Sequence, residues 1–375
     1  MRIYLAIAIA ILIFLTACTG TPAGEVVREE PIRVASILPL TGSTSYAGKW
    51  VKQGLELALE EINSKGGVNG KPLEIIYEDG ECNPQKAVSA MNKLVYADNV
   101  KVILGPQCSS SILAAAPIAE KEEIIILTSV GSSPKITHAG DFIFRVRMIG
   151  DVHGANMAEF AYNRLGARTA SILYINLDNG IGYKQGFREK FEELGGTVVS
   201  KDSYGPDTTD FRTHLLKIKE KNPDVLFIGG QKAELAVKQT RELGINAPIL
   251  GPTTMKTEDM IEVAGEAAEG IIYSDSAFDP ESDDIIMQEF QSKYKARYNE
   301  LSEIRAANAY DAVKIIALMI EKCGDEKATK CIRDELYKIE NYPGVSGSIT
   351  FDENGDVIKP TMIMTIKNQE FVEYE

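Results

Sequence analysis

Residues 100–128, VKVILGPQCSSSILAAAPIAEKEEIIILT, read as one strand–helix–strand unit. VKVILG is a short apolar run that Gly105-Pro106 terminates. An alanine-rich helix is expected from about Ser110 to Lys121, and IIILT, Ile124–Thr128, is the second strand. Neither strand alternates between polar and apolar residues, so both of its faces are covered. Two such strands separated by one helix are parallel neighbours joined by a right-handed crossover.

The same grammar extends in both directions. Strands are expected at Ile32–Leu38, Leu73–Glu78, Ala170–Ile175, Thr197–Ser203, Val225–Ile228, Ile249–Leu250 and Gly270–Tyr273. Helices are expected near 46–64, 84–97, 153–165, 181–194, 210–221 and 233–243. Leu55, Ala58, Leu59 and Ile62 form the apolar face of the first of these, and Gly66-Gly67 stops it. Three further helices follow near 283–298, 304–322 and 329–338, and the second carries Tyr310, Val313, Ala317 and Ile320 at helical spacing. FDENGDV then reads as a hairpin with an Asn354-Gly355 turn, ahead of an alternating C-terminal strand pair. Two successive blocks of strand–helix alternation predict an α/β protein with two doubly wound, open parallel-sheet lobes.

The first residues obey different physics. Ile3–Leu15 is an unbroken apolar run of 13 residues, too short to span a bilayer comfortably but suited to a secretory signal. LTAC, Leu15–Cys18, then resembles a lipobox, which marks residues 1–17 as a signal peptide and Cys18 as the lipidated N-terminus. A plain uncleaved anchor is the other reading, and both tether the protein outside the membrane. Residues 18–31 read as a flexible linker. Four cysteines remain in an oxidising compartment, and their separations suggest Cys82 with Cys108 and Cys323 with Cys331. No cysteine has CxxC spacing, and His138, His153 and His214 are scattered. A metal site is therefore not expected, and the histidines read as surface or capping residues. The net charge of −14 and the absence of a basic stripe argue against nucleic acid.

In doubly wound sheets ligands sit at the carboxyl ends of the strands. PQCSSS lies there, at a helix start where free N–H groups gather. TSVGSSPK, Thr128–Lys135, repeats the arrangement after the next strand. Either loop alone also reads as capping and turn chemistry. Side by side, they form a seat for a carboxylate.

Four stretches carry a specific resemblance: ILPLTGSTSYAGKWVKQGLELALEEINSKGGVNGKPLEIIYEDGECNPQKAVSAMNKLV, ILGPQCSSS, RTASILYINLDNGIGYKQGF and DFRTHLLKIKEKNPDVLFIGG. With AGEAAEG, they resemble the branched-chain amino acid-binding proteins of ABC importers over nearly all of the mature chain. The resemblance implies two α/β lobes of the type I periplasmic-binding kind, joined by a three-crossover hinge and closing on a ligand. Lobe 1 would comprise residues 32–150 and 278–350, and lobe 2 residues 151–277 and 351–375. It also implies an ABC permease as partner, no cofactor, and a small-molecule ligand that is an amino acid or a related carboxylate.

By the same resemblance, Ser109, the main chain of Gly131, and Ser133 grip the carboxylate. Tyr46 takes an aromatic lid position and Phe278 a contact near the hinge. An acidic residue opening the second lobe falls on Asp151, or on Gly150 if that loop aligns without a gap. Three positions depart from the family pattern: its tyrosines become Asn179 and Gln231, and the acid that meets the ligand's ammonium becomes Thr253. A buried ammonium needs a counter-charge. Asp151 or Asp275 supplies it, or the ligand is another small carboxylate or amide. Enzymatic motifs are absent: there is no GxSxG elbow, no P-loop spacing, and no calcium-loop glutamate after DENGD. Gly180-x-Gly182-x-x-x-Gly186 misses dinucleotide-loop spacing by one. A sensory ligand-binding module remains the alternative in this fold.

Overall fold

The computed structural model describes residues 30–357 and 359–375. The expected signal segment and the Cys18 lipidation site lie outside the described residues. The first sheet contains β1 (Ile32–Leu38), β2 (Leu73–Asp79), β3 (Val102–Leu104), β4 (Ile125–Thr128) and β5 (Ile143–Arg145). All five strands are parallel, in the order β2-β1-β3-β4-β5. Helices α1 (Ser45–Ser64), α2 (Pro84–Asn92) and α3 (Ser109–Glu122) connect them. After β5 the chain passes into a second sheet through α4 (Gly150–Glu159). There β6 (Thr169–Ile175), β7 (Thr197–Tyr204), β8 (Val225–Gly229), β9 (Ile249–Gly251) and β10 (Ile272–Ser276) lie parallel, ordered β7-β6-β8-β9-β10. The two sheets thus repeat one winding order, each with a switch point between its first and third strands. Helices α5 (Asp178–Glu193), α6 (Arg212–Lys221) and α7 (Ala233–Glu242) link the second set.

The chain then returns to the first sheet. Helix α8 (Ile285–Tyr298), α9 (Ile304–Cys323) and α10 (Thr329–Leu336) pack their apolar residues into its core. Helix α9 is buried around most of its circumference, as its continuous apolar sequence requires. Together with α1, it covers one face of the sheet through Leu55, Ala58, Val313 and Ile316. Helices α2 and α3 cover the other face through Met91, Ile112, Ala115 and Ala119. A small ribbon of β11 (Tyr342–Gly344) and β12 (Gly347–Ile349) follows. Phe351 and Val357 bridge each other across the Asn354-Gly355 turn and stay in the first core. Only then does the chain cross a third time. β13 (Thr361–Lys367) joins β10 antiparallel, and β14 (Glu370–Glu373) completes the edge. Two parallel-sheet lobes and three passages between them are the architecture the sequence implies.

The strand order hides one element from sequence reading. β5 is three residues long, Ile143-Phe144-Arg145, and carries no periodic signal. It is held by its pairing, Ile126 with Ile143 and Thr128 with Arg145. Both expected disulfides form: Cys82–Cys108 with Cα atoms 5.3 Å apart, and Cys323–Cys331 at 5.9 Å. The first ties the turn after β2 to the residue that precedes α3. Closing a loop with a sequence separation of 26 contributes about 3–4 kcal/mol on the chain-entropy account. Cys82→Ser is expected to lower stability by about that amount in urea unfolding under oxidising conditions. An unchanged midpoint would show that the bond is dispensable.

Candidate ligand-binding site

Cys108 stands at the N-cap of α3 in extended conformation, and no side chain caps the helix. The first amides of α3 therefore stay available at the carboxyl end of β3. Ser109 is the first helical residue. Its Oγ accepts from the backbone N–H of Ser132 and of Ser133, each at 3.2 Å. One hydroxyl thus joins the two loops that follow β3 and β4, and its own proton remains free to donate. Ser133 is fully buried; its Oγ accepts from Lys135 N at 3.3 Å and also keeps its proton. Gln107 ties the same loops from below, its Oε1 accepting from Ser129 N at 3.1 Å and Ser129 Oγ at 3.0 Å. Gly131 is buried, and a Cβ there would lie 2.2 Å from Ile112 Cδ1. Any side chain there would have to displace the Ile112 side chain between the second loop and α3.

Arg145, at the end of β5, locks this pair of loops to the hinge. It is fully buried and binds the Asp356 carboxylate through Nε and Nη2. It also donates to Ser133 O at 2.7 Å and to Thr137 Oγ1. Asp151 follows Gly150, whose N–H donates to Ser132 O at 2.7 Å, so the opening of α4 abuts the second loop. Burial raises the Asp151 carboxyl above the usual range, against the lowering effects of the Val152 amide and Arg145. Its Oδ1 is buried without a partner. From the second lobe, the start of α5 meets the same loop. Lys135 Nζ pairs with Asp178 Oδ1 at 2.8 Å, and a Cβ on Gly182 would lie 2.5 Å from Pro134 Cδ. Asn179 is beside that ion pair.

Asn179, Gln231 and Thr253 follow β6, β8 and β9, so they share the carboxyl end of the second sheet. Gln231 gives its carbonyl to Tyr204 Oη at 2.7 Å, while its side-chain Oε1 is buried and unpaired. Thr253 Oγ1 donates to Asp275 Oδ1 at 2.7 Å, and Lys256 Nζ lies 3.2 Å from Asp275 Oδ2. The acid missing at position 253 is therefore present next door, on β10, already engaged by a hydroxyl and an ammonium. Tyr46 and Phe278 stand apart from these contacts. Tyr46 is 44% exposed, edge-on to Trp50 at 5.6 Å. Phe278 is buried within the first lobe's core.

Residues 31–370 match the periplasmic binding protein family. The chain belongs to that family. A Pseudomonas aeruginosa leucine-, isoleucine-, valine-, threonine- and alanine-binding protein is 30% identical over 352 residues, covering 92% of this chain and 90% of that protein. A leucine-binding protein from Thermotoga maritima superposes with a TM-score of 0.85 at 31% identity, covering 92% of this chain and 98% of that one. A branched-chain amino acid transporter substrate-binding protein from Streptococcus pneumoniae, solved with isoleucine, gives 0.82 at 27%, covering 91% and 98%. These periplasmic-binding relatives are named as binding proteins, not enzymes, and this chain is a binding protein with them.

Several residues at the site escaped sequence reading. Arg145, Arg147 and Asp356 did so because β5 was invisible; the only trace is the arginine pair after Phe142-Ile143-Phe144. Arg305 lies over Trp50 and pairs with Glu303 at 2.6 Å. His153 corrects the expectation of a surface or capping histidine. It is fully buried on the inner side of α4, with Gly150, Gly154 and Met157. Its Nδ1 lies 2.9 Å from Ser274 Oγ on β10.

Burial, then the nearby Arg147 charge, pushes the His153 pKa down to about 3 from an ordinary 6.5. As pH falls below 6.5 the unfolded chain takes up this proton first, so stability is lost between about pH 6.5 and 3. The slope is up to ~1.4 kcal/mol per pH unit. His153→Gln is expected to show a shallower fall of Tm between pH 6.5 and 4 than the parent protein. Parallel curves would contradict this assignment.

Proposed function

We propose that the protein is the extracytoplasmic solute-binding component of an ABC importer, held at the membrane by a lipid on Cys18. It captures a small carboxylate-bearing ligand, an amino acid of the kind its relatives are named for, between closing lobes and presents it to a permease. The observation that carries this reading is the Ser109 hydroxyl joining two loops at strand ends. It leaves the Ser109 and Ser133 protons and the first α3 amides to face one carboxylate. Charge-assisted hydrogen bonds of this kind are about twice as strong as neutral ones, and burial between lobes strengthens them further.

The ligand's ammonium is assigned to Asp151. Its buried, partnerless Oδ1 supports that choice over Asp275, which Thr253 and Lys256 already occupy. Asn179, Gln231 and Thr253 line the opposite wall and contact the ligand's substituent, with Tyr46 as lid and Phe278 at the hinge side. The mechanism is population shift: the ligand binds the clamp on the first lobe and stabilises the closed form by its extra contacts with the second. A non-amino-acid carboxylate or amide would use the clamp and leave Asp151 unpaired.

Ser109→Ala is expected to weaken binding of isoleucine or leucine by about 1–3 kcal/mol in titration calorimetry. Asp151→Asn is expected to weaken both amino acids while sparing their deaminated analogues. Unchanged affinity in the serine variant would remove Ser109 from the site.

A further inference from the structure

Arg145 and Arg147 are two residues apart at the end of β5, and their fates differ. The Arg145 guanidinium is satisfied by Asp356, Ser133 and Thr137. Arg147 is 4% exposed, yet its Nε and Nη1 have no hydrogen-bond partner. Other cations are matched: Arg305 by Glu303, and Lys256 by Asp275. Lys359, in the third passage, is bound by Asn308 Oδ1 at 3.1 Å and Ser346 Oγ at 2.6 Å, within the field of Asp311. Arg147 has no carboxylate of this kind among the described residues.

Its place is adjacent to the clamp. Residues 146–150 run beside the second serine loop, with Val146 N bonded to Thr128 O and Gly150 N to Ser132 O. The Arg147 charge is felt by His153 on α4 and by Lys359. His153 Nε2 is likewise buried and partnerless. A buried guanidinium without an acceptor forfeits its hydration, so one that is retained points to an acceptor that arrives later. The guanidinium fork matches a carboxylate, and neutral imidazole Nε2 completes the polar wall.

We infer that Arg147, on the segment that runs beside the second serine loop, is a specificity-determining residue that receives a second anionic group of the ligand. Within the proposed class of small carboxylates, the preferred ligand then departs from the aliphatic amino acids the relatives are named for and is one bearing a further carboxylate, such as an acidic amino acid or a short diacid. This rests on the proposed clamp for the first carboxylate.

The test titrates the purified protein, Arg147→Gln, Arg147→Lys and Ser109→Ala with L-glutamate, L-aspartate, succinate and L-leucine, and records ligand-free melting. The parent protein is expected to bind at least one acidic probe at least tenfold more tightly than leucine. Arg147→Gln is expected to lower that preference at least tenfold, with Arg147→Lys in between. It is also expected to raise the melting temperature of the ligand-free protein, because an unmatched buried cation is gone. A structural arginine would lower it.

Failure of all acidic probes to bind better than leucine overturns the inference. So does an Arg147→Gln variant that keeps the preference or melts lower without ligand. The two readings fail separately. Unchanged affinities in Ser109→Ala, alongside a lost acidic preference in Arg147→Gln, would sink the clamp and leave Arg147 standing.

Discussion

The Arg145 guanidinium, sealed from solvent at the end of β5, holds three separate parts of the chain in one place. It clasps Asp356 just ahead of the third passage, the carbonyl of Ser133 in the second serine loop, and Thr137 in the short helical turn beyond it. A charge buried this deeply is costly unless it is paired and hydrogen-bonded, and removing one partner strands the other. The interaction therefore dictates geometry more than it adds stability. It fixes where the serine loop sits relative to the first and third passages, which are the segments a hinge must bend.

From that anchor the site follows by short steps. The loop that Arg145 holds offers the Ser132 and Ser133 amides to Ser109, and Ser109 begins the helix whose first amides are uncapped. The disulfide at Cys108 immobilises the residue before that helix, and Gln107 braces both loops from behind. Asn308 Nδ2 reaches Ser129 O at 3.4 Å while its Oδ1 accepts from Lys359, which extends the same framework to the far side of the hinge. In the proposed clamp, a ligand carboxylate would meet groups whose positions are already determined, so little ordering entropy would remain to be lost on binding.

Much of the fold was legible because the parallel strands are continuous apolar runs with helices of ordinary length between them, and Gly66-Gly67 and Asn83-Pro84 mark their ends clearly. The cysteine pairs and the serine loops were legible for the same local reasons. What sequence could not show lies in contacts between distant residues. β5 is three residues long and exists because β4 offers it an edge, so nothing in the sequence links Arg145, Arg147 and Asp356. Asp275 was named from sequence as a possible counter-charge, but its engagement by Thr253 and Lys256 is visible only once β10 is known to lie beside β9. His153 read as a surface residue because α4 has a weak apolar face, narrowed by Gly150 and Gly154 where α5 packs closely.

The most direct measurement is a crystal structure of the protein with its bound ligand. The account predicts a carboxylate within hydrogen-bond distance of Ser109 Oγ and Ser133 Oγ, with the Ser109–Ser132 and Ser109–Ser133 contacts retained. A ligand held elsewhere between the lobes, with those hydroxyls turned to solvent or to each other, would contradict it.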